Sequence, residues 1–201
     1  MKLRCLMALL LLVATAVLAP SIAFAHTGLG SQADFVHGFL HPLTGVDHTL
    51  AMLAVGVVAY QIGGRALWLI PVTFVVAMAL GGVLGMGGVN LPFVEIGIAL
   101  SVIVLGAAVA FGMPAPLAAV MTVVGLFAIF HGHAHGSEIP ESAGGLAYGF
   151  GFMGATALLH LGGIAVGLLI GWVGKTHERA LARAAGGLMS IAGIGILAGI
   201  M

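Results

Sequence analysis

Four side chains able to bind a cation crowd into twelve residues of an otherwise apolar stretch. They are His37, His41, Asp47 and His48, within HGFLHPLTGVDHTLAMLAVG at residues 37–56. Ionisable groups in a membrane-compatible segment are costly, so the default reading of such a set is functional. Three imidazoles and a carboxylate make a nitrogen and oxygen site for a borderline divalent metal. A helix turns about 100° per residue, so spacings of four and seven set His37, His41 and His48 on one stripe. Asp47 points about 100° from His48 and is expected to act as its outer partner. Pro42 suits a first helical turn or bends the span beside His41.

A second tract, His131-Gly132-His133-Ala134-His135, alternates imidazoles. Such spacing chelates if the backbone is extended or frayed, and short His-rich tracts are a metal-binding composition. Two further polar groups, Glu95 and His160, sit in apolar surroundings. Ordered by expected depth, His131, His133, His135, His37, His41 and Glu95 lie near the outer face, and Asp47, His48 and His160 lie deeper. The series reads as a relay from outside to midplane. Imidazole suits nickel, cobalt, zinc and copper, and a cuprous site is disfavoured because the ten methionines are scattered.

These groups must be held by membrane helices. Hydrophobic residues make up 61% of the chain and charged residues 6%, against about 25% charged in soluble domains. Such a chain cannot cover a water-facing surface, and its partner is the lipid bilayer. The formal net charge of zero argues against nucleic acid as a partner. Residues 1–25 read as a cleaved signal peptide: Lys2 and Arg4, then an apolar run, then Ala23-Phe24-Ala25. Cys5, the single cysteine, would leave with it, so the mature protein would lack a thiolate ligand.

The mature region, 26–201, is expected to be one transport domain. Six apolar stretches follow, at about 36–60, 66–86, 93–112, 115–133, 143–173 and 184–201. The fold class is thus all-α, a polytopic membrane helix bundle of six transmembrane helices. With the mature N-terminus outside, Arg65, Lys175, Arg179 and Arg183 all fall on the inner side, as the positive-inside rule expects. The location is then a bacterial inner membrane, multi-pass, with a periplasmic N-terminus. Six spans divide into three plus three, which would invert one half against the other, a transporter arrangement. His37-Gly38 and His131-Gly132 are a faint echo between the halves.

The run HPLTGVDHTLAMLAVG (residues 41–56) resembles the signature of the HupE/UreJ family of small membrane proteins found with nickel hydrogenase and urease systems. The resemblance extends to FHGHAHG at 130–136 and ALLHLGG around His160. It implies a secondary permease moving Ni²⁺ from periplasm to cytoplasm for nickel-enzyme maturation. It also implies that His41, Asp47 and His48 are critical for transport, with Glu95, His131, His133, His135 and His160 as further metal residues. The alternatives are a cobalt permease or a metal-binding accessory protein that does not transport. The ion, Ni²⁺ or Co²⁺, would be cargo, and no cofactor is expected; a homo-oligomer is among the expected partners. An enzyme is disfavoured. A serine protease built on Ser101 and His160 would want Gly-x-Ser-Gly, and a zinc enzyme His-Glu-x-x-His, and neither motif is present.

Overall fold

A computed structural model describes residues 30–112, 114–139, 144–172 and 175–200. The expected signal peptide and Cys5 lie outside these residues. Among the described residues all regular structure is helical. Seven helices follow in order: α1 Gly30–Thr44, α2 Val46–Ile62, α3 Ala66–Met86, α4 Val94–Phe111, α5 Leu117–Ser137, α6 Gly145–Trp172 and α7 Lys175–Leu197. A helix satisfies its own backbone, which is why long apolar stretches adopt it in lipid. Five helices are long and apolar enough to cross a membrane: α3, α4, α5, α6 and the His177–Leu197 part of α7.

The first expected span is not one rod. Asp34–Thr44 and Val46–Ile62 meet at Gly45 with a bend of 81°, and they make a sixth span only if counted together. The expected stripe of His37, His41 and His48 therefore does not exist, because His48 belongs to a different helix. The break is held by side chains that cap the exposed backbone. Thr44 Oγ1 donates to the His41 carbonyl at 2.7 Å, and Thr49 Oγ1 to the Pro42 carbonyl at 3.1 Å. Asp47 Oδ1 accepts the His48 N–H at 2.7 Å in the first turn of α2. These contacts replace the bonds that a bend removes. Asp47 thus serves its own helix end instead of the His48 ring.

Two more expectations change. The tract around His133 is not extended, because α5 runs on through Ser137. The stretch between the expected spans 143–173 and 184–201 is not a loop from Lys175 onward but the opening of α7. Lys, Glu, Arg and Ala are good helix formers, and nothing there breaks the pattern.

The helices pack along glycine seams: α3 against α5, α4 against α7, and α1 with α2 against α6. Small residues allow this backbone-close packing, which supplies attraction where lipid offers no hydrophobic drive. Two seams match position by position. Gly38 packs on the Tyr148 backbone and Gly151 on Phe35; Gly132 packs on Met78 and Gly81 on Ile129. The stretches HGFLH (37–41) and HGHAH (131–135) thus share both a pattern, H-G-x-x-H, and a helix crossing. The faint echo between the halves is a real local likeness. Below the crossings lies a closed apolar core that includes Val55, Ile70, Phe74, Val102 and Val109.

Candidate metal centre

The broken span and the end of α5 bring imidazoles from three helices together. In α5, His131 and His135 are one helical turn apart, so an uninterrupted helix puts both on one face. His48, in the first turn of α2, meets that face. Its ring lies 5.1 Å from His131 and 5.1 Å from His135, edge to face, centre to centre. Each of the three offers a ring nitrogen within 4.8 Å of the others. His48 and His131 are fully buried. Burial of His131 corrects its expected place near water at the outer face.

The second nitrogens of this trio are spoken for. His48 Nε2 lies 3.3 Å from Thr156 Oγ1, His131 Nε2 lies 2.8 Å from Ser101 Oγ, and His135 Nδ1 lies 3.0 Å from His41 Nε2. Left over are His48 Nδ1, His131 Nδ1 and His135 Nε2, all buried and without a partner. A buried polar atom left unpaired costs about 1–3 kcal/mol. All three sit on rings of one cluster, and a cation with affinity for imidazole is a partner such nitrogens would accept.

A second cluster shares His135. Glu138 Oε2 lies 3.5 Å from His135 Nδ1 and 3.6 Å from His41 Nε2. This group, His41 with His135 and Glu138, is partly exposed. His135 therefore belongs to both groups, with Nδ1 beside the accessible, acidic one and Nε2 buried and unpaired. Phe152 sets its ring 4.7 Å from His135, tilted, and 5.0 Å from His48, edge to face, and walls the buried cluster.

The remaining sequence candidates stand apart from both clusters. His37 is exposed on α1, its ring 6.2 Å from Tyr148. His133 points the other way from its neighbours, with Nε2 2.6 Å from the Val89 carbonyl. Glu95 is exposed in the first turn of α4. His160 is buried with neither nitrogen paired, its ring 5.2 Å from Phe74. The alternative pairing of Ser101 with His160 is absent: Ser101 bonds His131 and gives its proton to the Ile98 carbonyl at 2.6 Å.

Three contributors escape a reading of sequence. Glu138 sits three residues after His135, a spacing that meets on a helix, but it is hidden once the tract is taken as extended. Ser101 and Thr156 come from α4 and α6, far along the chain, and carry no motif. Met78, Met86 and Met153 line a cavity of about 150 Å³ beside His135.

The family model described as HupE / UreJ protein matches residues 13–196. The curated Protein HupE of Rhizobium leguminosarum bv. viciae is 46% identical over 184 residues, covering 92% of this chain and 94% of that protein. No solved structure matches the chain.

Proposed function

The chain belongs to the HupE/UreJ family, and from that premise we propose that it is a secondary permease carrying Ni²⁺ from periplasm to cytoplasm to supply nickel enzymes. The observation that carries this reading is the buried trio of unpaired imidazole nitrogens on His48, His131 and His135. Neutral nitrogen donors favour nickel and its neighbours over Mg²⁺ and Ca²⁺, which want oxygen ligands. A tripod without carboxylate also leaves the ion's charge uncompensated, so it holds the ion without trapping it.

The two clusters give an order of events. The exposed group of His41, His135 and Glu138 captures the ion, with the carboxylate offsetting its charge. The shared imidazole of His135 then passes it to His48 and His131. Coordination needs bare nitrogens, so as the ion arrives the proton held between His41 Nε2 and His135 Nδ1 moves to the far nitrogen of its own ring. Further passage inward requires the apolar core beneath to open, since Ile70, Phe74 and Val102 are fully packed. No nucleotide-binding motif occurs in the sequence. The driving force is then the ion gradient and membrane potential, worth about 2.3 kcal/mol per charge per 100 mV.

The test is uptake of radioactive nickel by cells expressing the wild type, His41→Ala, Asp47→Ala or His48→Ala, with Co²⁺ as competitor. Uptake by the wild type and loss in the variants supports the reading. Equal uptake in all four removes it, and metal binding by purified wild type with no uptake assigns an accessory role instead. Uptake of cobalt in preference to nickel would change the cargo but not the site.

A further inference from the structure

We infer that Ser101 and Thr156 are positioning residues that set the tautomers of His131 and His48, so that each presents a bare Nδ1 to the ion; this rests on the cluster being the metal site. A hydroxyl has one proton to give. Ser101 gives its proton to the Ile98 carbonyl, 2.6 Å away in the preceding turn of α4. Its oxygen can therefore only accept from the imidazole nitrogen 2.8 Å away, His131 Nε2. That nitrogen must carry the ring's proton. In a neutral ring Nδ1 is then an unprotonated lone pair, and Nδ1 is the atom of His131 left buried and unpaired in the cluster.

Thr156 repeats the arrangement from α6. Its Oγ1 has the Met78 thioether, a weak acceptor, at 3.7 Å to donate to and His48 Nε2 at 3.3 Å, and in the arrangement we infer it accepts from that nitrogen. The nitrogen left bare is again Nδ1, unpaired and buried. Two hydroxyls on two helices thus do the same task for two ligands. Each also fixes its ring's rotation, and a hydrogen bond to the far nitrogen makes the near one a stronger donor. The shorter bonds at Ser101 make it the firmer of the two holds.

The experiment uses full-length, metal-free protein in lipid nanodiscs, labelled with ¹⁵N in histidine. In the wild type, His131 and His48 should each show a protonated Nε2 and a bare Nδ1, which resonate far apart. Ser101→Ala and Thr156→Val should blur that assignment at His131 and His48 respectively, each leaving the other ring unchanged. Ni²⁺ titration of the same samples should show affinity lowered by about 10–100-fold, the usual effect of losing such a partner. Thr156→Ser should restore both readouts, and thermal melting in the nanodisc checks that each variant is folded. A protonated Nδ1 at either ring in the wild type would overturn the inference for that ring. Unchanged affinity in folded Ser101→Ala and Thr156→Val would overturn the positioning role. Wild-type protein with the expected tautomers and no affinity for Ni²⁺ would defeat the metal reading instead, leaving the tautomer assignment standing.

Discussion

His135 is the residue on which the site turns, because its ring belongs to two different groups. Nδ1 lies beside His41 and Glu138, Nε2 is buried without a partner, and the ring belongs also to the buried trio. Substitution of His48, His131 or His135 by Ala is expected to weaken Ni²⁺ binding by well over about 10-fold, since a tripod that loses one leg leaves the others poorly placed. His133→Ala and His37→Ala should change it by less than about 3-fold, as neither ring reaches the cluster. Equilibrium titration of purified protein would show a flat series if the trio were only packing. Acidity gives a second check. Protons compete for the same nitrogens, so affinity should fall as pH drops and be fully present only where the imidazoles are neutral. Calorimetry in buffers of different ionisation heat should detect proton release with metal once the pH is low enough to protonate these rings, and none at any pH would contradict nitrogen coordination.

Among the elements, the broken span α1–α2 and the seam between α3 and α5 decide where the imidazoles go. Asp47 closes the start of α2 through the His48 amide. Asp47→Asn keeps an acceptor there and should melt within about 0.5 kcal/mol of wild type, whereas Asp47→Ala should lose about 1 kcal/mol. If the two variants melt alike, the carboxylate has no capping role. Gly132 lets α5 lie against the Met78 backbone, with no room for a side chain, while nothing stands near Gly149. Gly132→Ala should therefore cost about 1–3 kcal/mol through forced separation of the helices. Gly149→Ala should be neutral or slightly stabilising, because Ala is the better helix former. Equal melting of these two variants would deny the seam its part. The seam also explains why alternating histidines did not chelate as a strand. Gly132 and Gly136 hold α5 helical against α3, and that packing is invisible to a local reading of HGHAH.

At the scale of the whole molecule, the bundle is a membrane protein whose polar groups gather near one end of a closed apolar core. For a passive carrier of a divalent cation, the initial uptake rate should fall when the membrane potential is collapsed with potassium and valinomycin. Depleting ATP at constant potential should leave that rate unchanged; the reverse pattern would point to a powered partner. The matched crossings of HGFLH and HGHAH place His41 against His135, equivalent residues of two like modules, on either side of the site. Sequence alone determined the class of the protein and most of its helical spans, because hydropathy is a local property. It also carried the family, through an uninterrupted motif at His41 to Gly56. Only the tertiary structure decided which imidazoles meet. It bent the first span at Gly45, kept α5 helical to Ser137, and brought Ser101, Glu138 and Thr156 in from elements that share no motif. The physical reason is that a site is a matter of distances across helices, and those are set by which backbones can approach, not by the order of residues along one of them.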